Sequence, residues 1–99
     1  STQQGLSDLL FYPNPSPDGK GHFTYVLSSP ATSSRLRIYA LSGRLIDTVE
    51  GGTGPGYHQM NWTPPTRLAG GTYLYRLEVD LVDGSRSTAQ GHLQVVPGP

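Results

Sequence analysis

The stretch Leu68-Ala-Gly-Gly-Thr-Tyr-Leu-Tyr-Arg-Leu-Glu-Val79 constrains the fold of this chain more than any other. A leucine and a pair of glycines lead into a run that sets Tyr73, Tyr75, Leu77 and Val79 on one face. Alternation with a period of two is the mark of a half-buried β-strand. The same rhythm recurs along the chain. His22 to Leu27 alternates Phe23, Tyr25 and Leu27 against Thr24 and Val26. Arg35 to Ala40 puts Leu36 and Ile38 on one side, and Gly56 to Trp62 does so with His58, Met60 and Trp62. Shorter runs over Asp8–Tyr12 and Leu45–Val49 complete the pattern, with a last strand over Arg86–Val96 that faces Ala89, Gly91, Leu93 and Val95 inward. No segment carries a helical period. Seven strands at regular spacing predict an all-β, seven-stranded antiparallel sandwich of the Ig-like or fibronectin-III-like class.

The breaks between runs agree. Thirteen glycines and nine prolines suit many tight turns. Pro13-Asn-Pro-Ser-Pro-Asp-Gly19 reads as a loop, because prolines do not join a central ladder. Ser28–Ser34, Glu50–Pro55 and Thr63–Gly70 read as loops as well. Gly43 supplies a turn after Leu41, and Asp83-Gly84 is a strong hairpin signal in which both residues accept a positive φ. Tyr73 stands just after a turn at the start of a late strand. That is the position of a tyrosine corner, whose hydroxyl bonds back to the preceding loop. The expected organisation is a linker over 1–7, one domain over 8–96 and a tail over 97–99.

Composition removes several function classes. Seven basic and seven acidic residues cancel, so no basic patch points to nucleic acid or an anionic membrane. There is no cysteine, hence no disulfide frame, Cys-zinc site or thiol chemistry. No apolar run approaches the length of a membrane span. The chain reads as one monomeric domain of a longer polypeptide, with any signal peptide belonging to the parent.

Residues able to carry chemistry are scattered. His22, His58 and His92 lack metal-ligand spacing, and His58 lies on an apolar face beside Met60 and Trp62. Asp18-Gly-Lys-Gly offers one carboxylate where a calcium loop needs several oxygens. Asp47, Glu50, Glu78 and Asp80 fall on outer positions with no reason to share a cleft. Ser42-Gly43 lacks the context of a nucleophile elbow. The expectation is no catalysis and no cofactor. Two surface features remain. Tyr12, Tyr39 and Tyr57 would form an aromatic platform for sugars if the fold gathered them, the plain alternative being ordinary packing. Arg35, Arg37 and Arg76 would form a cationic stripe if their strands were neighbours, the plain alternative being a solvated sheet face.

Five motifs in order carry a family resemblance: Tyr12-Pro-Asn-Pro15, Arg37-Ile-Tyr39 with Ser42-Gly-Arg-Leu-Ile46, Gly56-Tyr-His-Gln-Met-Asn-Trp62, Leu68-Ala-Gly-Gly-Thr-Tyr-Leu-Tyr75, and Gly91-His-Leu-Gln-Val-Val96. Together they resemble the FlgD-type Ig-like domain, and specifically the type A C-terminal sorting domain of the type IX secretion system. The C-terminal domain of the gingipain-like sortase of that system looks similar. Two features depart from the family: Trp62 is followed by Thr-Pro-Pro-Thr instead of Asp-Gly-x-Asp, and the chain ends Val-Pro-Gly-Pro instead of on a basic residue. The resemblance implies a non-catalytic module that directs a cargo protein through the periplasm to the cell surface or medium. It implies that the secretion machinery, or a neighbouring domain, contacts Tyr12, Pro13, Asn14, Pro15, Gly91, Leu93 and Val95. It leaves Trp62, Gly71, Tyr73 and Tyr75 as structural residues. The proline-stiffened loop would then be a contact surface whose replacement leaves the melting temperature nearly intact. The alternative is an accessory Ig-like domain, structural or binding carbohydrate or protein, in a larger extracellular protein.

Overall fold

Asp83-Gly84 does close a hairpin, and the two longest strands flank it. A computed structural model describes residues 5–96. Its strands are β1 Leu6–Tyr12, β2 Ser16–Pro17, β3 Gly21–Leu27, β4 Ala31–Ala40, β5 Leu45–Glu50, β6 Gly56–Trp62, β7 Gly71–Leu81 and β8 Arg86–Val96. They form a three-stranded sheet in the order β1-β3-β6 and a five-stranded sheet in the order β2-β8-β7-β4-β5. The described residues contain no helix. The chain is an all-β sandwich of the Ig-like class.

Leu6, Phe11, Phe23, Tyr25, Leu27, Met60 and Trp62 enter the core from the three-stranded sheet. Leu36, Ile38, Tyr73, Tyr75, Leu77, Val79, Leu93 and Val95 enter from the other. Phe11 and Phe23 lie 4.7 Å apart between ring centroids, and Tyr75 meets Phe23 edge-on at 5.1 Å. One aromatic cluster therefore joins the two sheets, in the tilted geometry that aromatic quadrupoles favour.

Three details differ from the sequence expectation. The strand count is eight, because Ser16–Pro17 pairs with Val95 and Val96, and this pair is parallel. At a sheet edge one side of the backbone needs no partner, so proline fits there. The first strand starts at Leu6, whose side chain is buried, not at Asp8. Residues 1–4 of the expected linker and the expected tail lie outside the described residues. Finally, β4 begins at Ala31, inside the expected loop. Its small polar residues pair with the far end of β7, where Ser33 Oγ donates to Asp80 Oδ2 at 3.0 Å and Thr32 Oγ1 to the Asp80 carbonyl at 3.1 Å.

The β7–β8 turn also differs in type. Only Gly84 has a positive φ, at 91°. Its N–H bonds the Leu81 carbonyl at 3.0 Å, and Leu81 N–H bonds the Ser85 carbonyl at 2.8 Å. This is the three-residue hairpin with a glycine bulge, one step longer than the two-residue turn.

Candidate partner-binding surface

The two ends of the motif series meet at one edge. Asn14 follows Tyr12 and Pro13 off the end of β1 and lies beside β8. Its Nδ2 donates to the His92 carbonyl at 3.1 Å, and its Oδ1 accepts from the Gln94 N–H at 2.9 Å. The carboxamide thus takes the place of a backbone amide in the ladder. The Ser16–Pro17 bridge continues the contact, and Asp18 N–H bonds the Val96 carbonyl at 2.9 Å. Ser16 is fully buried, and its hydroxyl donates to the Lys20 carbonyl at 2.5 Å. Residues 14–18 therefore cover the edge of β8 from His92 to Val96. A bare edge is a template for unwanted pairing, and such a cover blunts it.

Tyr12, Pro13, Asn14 and Pro15 are exposed along this seam. His92, Gln94 and Val96 face outward beside them, and none of the three was among the expected contact residues. Strand alternation is the signal that would have found them: if Leu93 and Val95 point inward, their neighbours point outward.

Two of the expected contact residues are buried, and a third is half-buried with a packing task. Leu93 and Val95 are buried in the core at 0% and 4% exposure, out of reach of a partner while the domain is folded. Gly91 lies directly opposite Tyr75 across the β7–β8 ladder. A Cβ on Gly91 would stand 2.6 Å from the Tyr75 hydroxyl, so glycine is needed there for the ring to fit. Asn14, in turn, has a structural task, which revises the expectation that it can be changed without thermal cost.

The structural residues are placed as follows. Trp62 is buried, and its Nε1 donates to Asp47 Oδ2 at 2.8 Å, a bond that spans from β6 to β5. Tyr73 Oη donates to the Ala69 carbonyl at 2.8 Å, which is the geometry of a tyrosine corner. Gly71 has a φ of 143° at the start of the same strand. Tyr25, fully buried, donates to the Gly52 carbonyl at 2.9 Å, and His58 stacks on its ring at 5.1 Å. Burial raises the Tyr25 and Tyr75 phenols above their ordinary value; the hydrogen bond with the Ser34 hydroxyl partly offsets this at Tyr25.

The outer faces of the two sheets differ. On the five-stranded sheet Arg37 and Arg76 stand opposite each other, but carboxylates intersperse with the arginines, which gives a mixed-charge sheet face and not a cationic stripe. Arg37 pairs with Glu78, and Arg86 Nε donates to Asp80 Oδ1 at 2.7 Å. Hydrogen bonds from Arg86, then from Ser33, hold the Asp80 carboxyl below its ordinary value. On the three-stranded sheet the outward side chains of β1, β3 and β6 include Tyr12, Tyr57, His22, Gln59 and Asn61. Tyr12 and Tyr57 thus share a face, while Tyr39 lies on the opposite sheet. Among the described residues no group of three or more His, Asp or Glu could hold a metal ion.

No protein-family model matches the chain, and the curated proteins likewise give no match. Solved structures do. The chain is similar to part of dimeric latent PorU from Porphyromonas gingivalis, with a TM-score of 0.72 and 23% identity over 91% of this chain. That match spans 9% of the PorU chain. It is also similar to CopC from Methylosinus trichosporium OB3b, with a TM-score of 0.61 and 14% identity over 93% of this chain and 97% of CopC. A third likeness is to the PmoD soluble domain from Methylocystis sp. ATCC 49242, with a TM-score of 0.58 and 16% identity over 86% of this chain and 79% of that one. At these identities the likeness is one of fold.

Proposed function

We propose that this domain is a non-catalytic sorting module, which directs a cargo protein through a type IX secretion system to the cell surface or medium. One observation carries the reading. The two stretches that resemble the ends of the sorting domain, Tyr12–Pro15 and Gly91–Val96, are joined by the Asn14 carboxamide into one seam. A receptor that reads this seam reads both ends of the domain at once, and only after folding has brought them together. Recognition would fall on the exposed Tyr12, Pro13, Pro15, His92 and Gln94. The hydrogen bonds from Asn14 hold that surface in one shape, which lowers the entropy lost on binding. The fold likeness to a short part of the long PorU chain is in keeping with a module that serves a larger polypeptide.

The test is a fusion. Residues 1–99 placed behind a periplasmic reporter, in a host with a type IX system, should send the reporter to the surface or medium. Replacing Pro13 and Gln94 together should lower export without moving the melting temperature, because both side chains are exposed. A reporter held in the periplasm by a folded domain, while a known cargo domain is exported in parallel, would overturn the proposal.

A further inference from the structure

The outer face of the three-stranded sheet is built from a narrow set of side chains. Cross-strand rows place Tyr12 opposite His22 and Asn61, Leu10 opposite Thr24 and Gln59, and Val26 opposite Tyr57. Apart from Asp8 at the β1 bulge, no residue of β1, β3 or β6 is an Asp, Glu, Lys or Arg. The planar groups meet one another. The hydroxyls of Tyr12 and Tyr57 both point at Gln59 Oε1, at 3.5 and 3.4 Å. His22 Nδ1 lies 2.5 Å from Asn61 Oδ1, and Gln59 Nε2 lies 3.4 Å from the same oxygen. Tyr12 and His22 pack ring to ring at 5.1 Å. Tyr57 stands 63% exposed, and Leu10 59%.

We propose that this face binds a neutral polysaccharide, laid across the three strands. A pyranose chain presents flat C–H faces and a rim of hydroxyls that both donate and accept. The face offers the complement: aromatic rings for the flat side, and amide, imidazole and phenol groups for the rim. The bonds to Gln59 sit at the long limit of hydrogen bonding, so a sugar hydroxyl can replace them at little loss. Tyrosine brings large contact area with few rotors to freeze, and strand-borne side chains hold their spacing. Charge selects the occupant. An acidic polysaccharide or a nucleic acid needs Lys or Arg, and none of the seven lies on these strands. From Tyr57 to Asn61 the platform runs about 13 Å along β6, at about 3.3 Å per residue, and about 10 Å across three strands. That is room for a short run of sugar rings. Tyr12 borders both this face and the seam, whereas Tyr57 and Gln59 lie outside the seam, so variants at these two positions separate the inference from the sorting proposal.

The experiment uses the 99-residue chain in affinity electrophoresis and titration calorimetry. The probes are soluble β-glucan, galactomannan and xylan, an array of neutral glycans, and polygalacturonate and heparin as acidic contrasts. The expected result is binding to at least one neutral probe, unchanged by salt. Tyr57→Ala and Gln59→Ala should each weaken it about tenfold or more at an unchanged melting temperature, and should leave reporter export intact. No binding to any neutral probe overturns the proposal. So does binding confined to the acidic probes and lost with salt, or binding that both variants retain. Sedimentation that shows two copies joined through this face, with dissociation on Tyr57→Ala, assigns the surface to self-association instead and likewise overturns it.

Discussion

The two sheets of this sandwich handle the same problem in different ways. Each must show one face to the core and one to water. The three-stranded sheet sends Phe11, Phe23, Tyr25 and Trp62 inward and keeps its outer face almost free of formal charge. The five-stranded sheet sends mainly Leu, Ile and Val inward, with Tyr73 and Tyr75, and covers its outer face with paired Arg, Asp and Glu. Charged pairs keep a broad sheet soluble and discourage stacking, at little gain in stability. A neutral aromatic face gives up that protection. The small sheet thus carries bulk on the inside and recognition chemistry on the outside, while the large sheet is the scaffold.

Four tests break or sharpen this contrast. The largest effect should come from Trp62→Ala, which removes a buried ring and its bond to Asp47. A loss of about 3–5 kcal/mol in denaturant unfolding is expected. A midpoint within error of the wild type would break the claim that the small sheet supplies the bulk. Next is Gly91→Ala on the large sheet, where the new methyl meets the Tyr75 ring. Overpacking of this kind costs about 1–3 kcal/mol. A double-mutant cycle with Tyr75→Leu should recover part of the loss, and additive losses would show that Gly91 serves something other than the ring.

The third tests the seam and the corner. Asn14→Ala and Tyr73→Phe should each cost about 1–2 kcal/mol, because each strips partners from backbone groups. If Asn14→Ala is thermally silent, the β8 edge does not depend on its cover. The smallest effect should come from Arg86→Ala on the charged face. Its midpoint should barely move at neutral pH, since exposed ion pairs are screened. Its signature lies in acid. The Asp80 carboxyl is held below its ordinary value in the folded state, so its contribution is present above 3.8 and is lost as pH falls through the lower folded value. Arg86→Ala should flatten that acid limb, and an unchanged limb would mean that Asp80 draws its stabilisation elsewhere.

Much of the fold was legible because strand alternation is local. The runs around Phe23, Ile38, Met60 and Tyr75 fixed the class and most boundaries, and the spacing before Tyr73 fixed the corner. The misses are non-local. The partners of Asn14 lie 78 and 80 residues away, so no window of sequence reveals them. Ala31–Ser34 looks like a loop by composition and becomes a strand only because β7 is long enough to pair with it. The neutrality of β1, β3 and β6 can be read from the sequence. That Tyr12 joins Tyr57 while Tyr39 lands on the opposite sheet depends on strand order, which alternation does not encode.

The course of β1 and β8 has a mechanical consequence. Gly5 sits against Leu81, at one end of β7, and Val95 pairs with Gly71 at the other. The eleven residues of β7 separate those ends by about 33 Å, at about 3.3 Å per residue. A pull between Gly5 and Val96 therefore runs along the strands, not across them. It loads the β1–β3 and β7–β8 ladders lengthwise, so that many hydrogen bonds must yield together and not one after another. Under tension the sandwich would behave as an in-line link, resisting extension far better than its modest core would suggest.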